Sequence, residues 1–121
     1  MFGLLRRTKR AIEAMTEGLA AELKQQNIVV NSLKPVSAIE TPGFLFAQLP
    51  RDEDGVVAPE LPPRDSYVEA AVLLATQTTE SFTGQVHDDA EVIGHLADDE
   101  TKDRFRALNP DYWTAIMDSV D

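Results

Sequence analysis

Residues 8–43 read TKRAIEAMTEGLAAELKQQNIVVNSLKPVSAIETPG, and this stretch decides the fold. Its first half predicts an amphipathic helix, because large apolar side chains recur at spacings of three and four residues. These side chains are Ile12, Met15, Leu19 and Leu23. At about 100° per residue they gather into one apolar stripe, which we expect to face a sheet.

A row of small residues lies about a third of a turn from that stripe, where another helix could approach closely. The row consists of Ala11, Ala14, Gly18 and Ala21. Leu5 and Lys9, four residues apart, share one side of the same helix. We expect the helix to end near residues 25–27, where Asn27 can adopt a left-handed cap.

A strand is predicted next, from Ile28 to Leu33. Its β-branched start, Ile28-Val29-Val30, has no polar alternation, which is typical of a parallel strand covered on both faces. Pro35 ends the strand because proline has no N–H to donate to a ladder.

The second half of the chain predicts another helix and another strand. Ser66 and Glu69 form the S-x-x-E pattern of a capping box, which opens a helix ending near Glu80. A strand follows from Gly84 to Asp88. The helix is expected to bury Val68, Ala71, Val72 and Ala75.

Two further segments complete the organisation. Five of the seven prolines fall within Pro42 to Pro63, which predicts a long irregular loop with a mobile tip at residues 51–55. Asp98 to Leu108 is charged and compatible with a helix, and Asn109-Pro110 predicts the start of a last helix. The order is therefore helix, strand, loop, helix, strand and helical tail, an α/β class with parallel strands.

Composition narrows the classes of function. The net charge of −10 argues against nucleic-acid and membrane-surface binding, although residues 1–34 hold six basic and three acidic side chains. No apolar run approaches the roughly 20 residues that span a bilayer. Without cysteine there is no disulfide, Cys zinc site or thiol nucleophile, which fits a cytoplasmic protein.

The polar candidates have competing interpretations. His87 with Asp88, Asp89 and Glu91 could form a metal cluster, but no second histidine stands at ligand spacing, so a solvated strand end is favoured and no metal is predicted. His95 is expected to be an ordinary surface residue. The run Asp98-Asp99-Glu100 lacks the pattern of a calcium loop and favours a helix N-terminus instead.

Three segments together resemble the short-chain dehydrogenase/reductase family. Lys9 and the following AIEAMTEGLAAEL resemble the helix that carries its Tyr-x-x-x-Lys pair, and IVVNSLKP with Ile39-Glu40-Thr41 resembles the next strand and its I-x-T loop. Residues 82–86, FTGQV, resemble the last helix-to-strand turn. The resemblance implies that residues 1–96 are the C-terminal part of a Rossmann-like, doubly wound parallel sheet, and that residues 97–121 are a helical tail.

The resemblance also implies a site. Lys9 would be the remnant catalytic lysine, and Lys9, Pro35, Ile39 and Thr41 would contact NAD or NADP. The tyrosine that transfers the substrate proton is replaced by Leu5, four residues before Lys9. The glycine-rich turn for the pyrophosphate and the catalytic serine are not found in the sequence either.

The sequence therefore predicts a truncated NAD(P)-dependent oxidoreductase that is inactive alone and binds no cofactor as an isolated chain. An alternative is a non-catalytic protein-interaction module derived from that fold. In a third possibility an upstream polypeptide supplies the missing N-terminal half. A homo-oligomer is compatible with the first two.

Overall fold

The computed structural model describes residues 2–35, 42, 51–52, 55–56 and 64–108. Helix α1 spans Phe2–Leu23 and is followed by a 3-10 turn, Lys24–Gln26. The later elements are β1 (Ser32–Lys34), β2 (Arg51–Asp52), β3 (Gly55–Val56), α2 (Asp65–Ala75), β4 (Val86–Asp88), α3 (Asp89–Leu96) and α4 (Asp99–Leu108). Ile39, Thr41, most of the proline-rich loop and the predicted last helix lie outside the described residues.

Strands β1 and β4 form a two-stranded parallel sheet, in the register Ser32 to Val86 and Lys34 to Asp88. The pairing joins segments more than 50 residues apart in the sequence, and the two strands run in the same direction. A mixed α/β arrangement is therefore confirmed. Within the loop predicted to be irregular, β2 and β3 pair as a short antiparallel hairpin, whereas the predicted mobility of the loop tip stays a prediction.

The first strand begins later than predicted. Ile28 is 44% exposed, and the ladder with β4 starts only at Ser32. Before that point the two segments are joined by one backbone bond, from the Gly84 N–H to the Val30 carbonyl at 2.8 Å, and by a side-chain bond, from the Val30 N–H to the Thr83 hydroxyl at 3.1 Å. Gly84, at φ 72°, turns the partner segment away from a regular ladder. The predicted end of the strand before Pro35 is confirmed.

The end of α1 agrees with the sequence, and its buried face does not. Asn27 has φ 58° and ψ 38°, and its N–H donates to the Lys24 carbonyl at 3.0 Å, as a left-handed cap should. Three of the four residues of the predicted stripe are nevertheless exposed and Leu23 is half-buried, whereas Thr16 and Ala20 are buried. A Cβ on Gly84 would lie 3.3 Å from the Cβ of Ala20. The helix packs so closely there that only small side chains fit at the contact.

Helix α2 also differs from its prediction. It ends at Ala75, five residues before Glu80, and Val68 and Val72 are both 56% exposed. The predicted burial of Ala71 and Ala75 is wrong as well, because both are exposed and the buried residues are Ser66 and Ala70. The capping box is absent from the start of α2. The Ser66 hydroxyl binds the Asp89 carboxylate instead, and Glu69 pairs with Arg104 at 3.0 Å.

Helices α1 and α2 cover opposite faces of the sheet. Val29, Asn31 and Leu33 line a groove with residues of α2, and Lys34, the next residue after Leu33, pairs with Glu13 of α1. Successive side chains of a strand point to opposite faces, so the two helices lie on either side of β1.

The buried core is formed mainly by residues of α3 and α4. Ala90, Ile93, Ala97 and Phe105 are buried together, with Leu73 of α2 packed against them. The predicted helical segment from Asp98 is confirmed, and Asp98 accepts a hydrogen bond from the Thr101 N–H at 2.8 Å, which lowers the pKa of Asp98. Among the helices described, none is both long and apolar enough to cross a membrane.

Candidate functional site

An open groove of about 530 Å³ lies between α1 and the carboxyl end of β1. Five of its six lining residues come from two and a half turns of α1, where a spacing of three to four residues keeps them on one side of the helix. Lys34, the last residue of β1, closes the other side. The lining consists of Leu5, Arg6, Lys9, Arg10, Glu13 and Lys34.

Positive charge dominates this groove. It contains four cationic side chains and one carboxylate, that of Glu13. Lys34 Nζ lies 3.6 Å from Glu13 Oε1, and the two side chains are 55% and 31% exposed, so the ion pair is weak. Within the described part of the chain, Arg6, Lys9 and Arg10 form no ion pair. Among the described residues, the groove is thus a positive patch with one carboxylate for four cations, on an acidic protein.

The structure brings together two of the positions singled out from the sequence. Leu5 and Lys9 line the same groove, one helical turn apart, and Lys9 is exposed. Pro35 is exposed and directly follows Lys34. Ile39 and Thr41 lie outside the described residues, so their predicted cofactor contacts stay predictions.

No tyrosine among the described residues reaches Lys9 through a hydrogen bond. The Tyr67 hydroxyl donates to the backbone carbonyl of Leu33 at 3.3 Å, and Leu33 faces α2 rather than α1. Tyr67 therefore lies on the other face of the sheet from Lys9. Leu5 itself offers no ionisable or hydrogen-bonding group to the groove.

The predicted strand end is found, because β4 ends at Asp88, but it is only partly solvated, since Asp89 is buried and the segment continues directly into α3. Asp88 caps the helix, accepting from the Glu91 N–H at 2.8 Å, and Glu91 Oε2 accepts from the Asp88 N–H at 3.0 Å. This reciprocal pair is a capping box. Asp89 is 1% exposed and binds the Ser66 hydroxyl.

The pKa values of the two carboxylates of the capping box are shifted in opposite directions. Burial raises the pKa of Asp88 above its ordinary value, against the lowering effect of the hydrogen bond from Glu91 N–H. Burial also raises the pKa of Glu91, but hydrogen bonds from the Asp88 N–H and from His87 outweigh it, so its pKa lies below the ordinary value. His87 Nδ1 lies 3.1 Å from Glu91 Oε2.

Two histidines meet beside this helix start. The rings of His87 and His95 have centroids 5.1 Å apart, and Phe82 lies 5.6 Å from His87. His95 is exposed, in agreement with its predicted surface position. In the described portion of the chain, no group of three His, Cys, Asp or Glu side chains could hold a metal ion.

Sequence reasoning missed four groove residues, namely Arg6, Arg10, Glu13 and Lys34. Arg6 and Arg10 carry a local signal, because they stand four residues apart in the basic run of residues 6–10. Lys34 carries none, since only the packing of α1 against β1 brings it to them.

No family model, curated protein or solved structure matches this chain. The fold is a mixed α/β arrangement with a small parallel sheet. The groove beside Lys9 is its candidate functional site.

Proposed function

We propose that this chain is the C-terminal half of a short-chain dehydrogenase/reductase-type, NAD(P)-dependent oxidoreductase, in which residues 1–96 belong to a Rossmann-like domain. The observation that supports this best is the groove shared by Leu5 and Lys9 at the carboxyl end of a parallel strand. Ligands of open α/β sheets bind at the carboxyl ends of the strands.

The chemistry proposed for the groove is limited by its residues. Lys9, with its ammonium group exposed in the groove, would hydrogen-bond the nicotinamide ribose and lower the pKa of a neighbouring acid. At Leu5 no hydroxyl is present to transfer a proton. Because no glycine-rich turn is found in the sequence, nothing cradles the pyrophosphate, and the chain alone is proposed to be non-catalytic.

A reconstitution experiment tests this proposal. The coding DNA upstream of Met1 should contain an open frame with a glycine-rich turn, and its product should be co-purified with this chain. We expect NADH to bind with a micromolar dissociation constant only to the reconstituted pair. We expect hydride transfer only when Leu5→Tyr is introduced into that pair.

Leu5→Phe is the matched control, because it adds the same ring without the hydroxyl and should stay inactive. In the isolated chain, neither wild type nor Leu5→Tyr should bind NADH with micromolar affinity in titration calorimetry. Micromolar binding by the isolated chain would contradict the proposal. So would turnover by the Leu5→Phe pair.

A second function, that of a non-catalytic interaction module, is favoured by the exposed side of α1. Met15 is 62% exposed, and a Cβ added at Gly18 meets nothing within 4 Å. If this side docks on another helix, Gly18→Leu should abolish self-association in sedimentation, because added methylenes obstruct a packed contact. Unchanged mass with higher helicity would instead favour the dehydrogenase half, since Gly lowers helix propensity by roughly 1 kcal/mol.

A further inference from the structure

Helix α1 has a charge order that opposes its own stability. Its basic residues, Arg6, Arg7, Lys9 and Arg10, precede its acidic residues, Glu13, Glu17 and Glu22. The first turn contains no acidic residue and the last turn no basic one. A helix dipole favours the reverse order, although it acts mainly on the first and last turns, so nothing in the charge order of α1 offsets the positive charge of residues 6–10.

The packing of α1 does not compensate this positive charge. The one carboxylate of the groove, Glu13, is directed to Lys34, and Arg6, Lys9 and Arg10 form no ion pair among the residues that the structure describes. The lining thus gathers two arginine and two lysine side chains around one open space of about 530 Å³.

We propose that this groove binds the phosphate group of a small molecule. Arg6 and Arg10 donate hydrogen bonds to its oxygens, and Lys9 and Lys34 supply the remaining positive charge. Guanidinium forks match tetrahedral oxyanions, and charge-assisted bonds of this kind are about twice as strong as neutral ones. The assignment goes beyond the proposed dehydrogenase origin and stands without it.

A small ligand fits better than a nucleic acid. The lining on α1 runs from Leu5 to Glu13, which at 1.5 Å per residue is roughly 12 Å of helix and accommodates only one or two phosphates. Beyond residue 34 the chain carries eighteen acidic and five basic side chains, which would repel a longer phosphate backbone.

Titration of the full chain with inorganic pyrophosphate, followed by calorimetry and by the amide resonances of residues 5–13 and 34, tests the proposal. We expect saturable binding with a sub-millimolar dissociation constant at low ionic strength. Arg6→Gln and Arg10→Gln should each weaken it about 10-fold or more, in line with the loss of one charge-assisted bond. A glucose 6-phosphate titration shows whether an organic phosphomonoester occupies the groove as well as the free anion.

Arg7→Gln is the matched control, because it removes the same charge from the same helix outside the groove lining. It should change the dissociation constant less than about 2-fold, as expected for a solvent-screened charge. Glu13→Gln should strengthen binding, because it removes the one negative charge and frees Lys34. Circular dichroism confirms that each variant retains its helices.

Four outcomes would overturn the proposal. Equal weakening by Arg7→Gln and Arg6→Gln would mean an adventitious ion only. Absence of saturation, or weaker binding in Glu13→Gln, would exclude a phosphate site. A short single-stranded oligonucleotide that displaces pyrophosphate at lower concentration would replace the small molecule by a nucleic acid. None of these outcomes depends on NADH binding, so they separate this inference from the proposed function.

Discussion

The Ser66 hydroxyl donates a hydrogen bond to Asp89 Oδ2 at 2.6 Å, and both residues are almost completely buried. The bond joins the first turn of α2 to the first residue of α3. It fixes the start of α2 to the start of α3, at the point where β4 ends and α3 begins.

Ser66→Ala should therefore destabilise the protein by about 1–3 kcal/mol, the cost of removing a buried donor from a charged acceptor. The free energy of unfolding in urea measures this. Thr76→Ala is the control, because the exposed Thr76 hydroxyl bonds only the Leu73 carbonyl in its own helix, and we expect a loss below about 0.5 kcal/mol. Equal losses in the two variants would show that the buried bond contributes nothing special.

Two glycines should respond to alanine with opposite signs. Gly84 has φ 72° and lies against Ala20, so Gly84→Ala should cost about 1–2 kcal/mol or more. Gly18 lies in the middle of α1 with nothing within 4 Å of an added Cβ, so Gly18→Ala should stabilise by about 0.5–1 kcal/mol. Thermal melts of both variants measure the difference. A stabilised Gly84→Ala would contradict the close packing of α1 on the sheet.

The exposed apolar side of α1 should cause the isolated chain to self-associate. Leu4, Ile12 and Met15 are 73%, 47% and 62% exposed, and together they form a larger apolar surface than scattered surface residues do. We expect binding of a hydrophobic dye and concentration-dependent association in sedimentation. Ile12→Gln combined with Met15→Gln should reduce both.

Val72→Gln is the control for that experiment, since Val72 is 56% exposed on α2 and away from the α1 stripe. It should leave dye binding and association unchanged. A strictly monomeric wild type that melts sharply and binds no dye would show that the stripe is not an association surface.

The capping box at the start of α3 should influence the acid limb of the stability curve, which is the loss of free energy of unfolding as the pH falls. Glu91 has a lowered pKa, so its contribution is complete above the ordinary value of 4.5 and is lost as pH falls through the lower, folded value. Urea unfolding between pH 3 and 7, at constant ionic strength, should show this loss in wild type. Glu91→Gln should flatten the limb.

Asp88 contributes with the opposite sign. Its pKa is raised above the ordinary 3.8, so the folded state binds its proton more tightly and stability falls as pH rises through that interval. Asp88→Asn still caps the helix and should make the rise in stability with pH steeper than in wild type. A shallower rise would contradict the assigned direction.

Local signals in the sequence predicted where helices and strands lie better than they predicted which face of each helix is buried. The left-handed cap at Asn27 and the strand ending at Asp88 depend on neighbouring residues, and both are found. The buried side of α1 depends on Gly84, more than 60 residues away, whose close approach selects Ala20 over the larger Leu19. Hydrophobic periodicity alone cannot register such a contact, because neither the apolar stripe nor the row of small residues contains Thr16 or Ala20.

The same contrast applies to the candidate site. Four-residue spacing placed Leu5 and Lys9 together, as the groove confirms. The competition for Ser66 between a local cap and a distant carboxylate was decided by Asp89, whose burial no sequence pattern had indicated. Charge-assisted bonds outweigh neutral caps, which explains the outcome.

The position of the buried core has a consequence for the order in which the chain opens. Ile93, Phe105 and their partners all lie in residues 64–108, whereas α1 contributes only Thr16 and Ala20. The helices of residues 64–108 meet over short loops, but β1 reaches β4 only by closing a loop of about 50 residues. We therefore expect the first 34 residues to dock last and open first, so that their amides exchange with deuterium before those of α3.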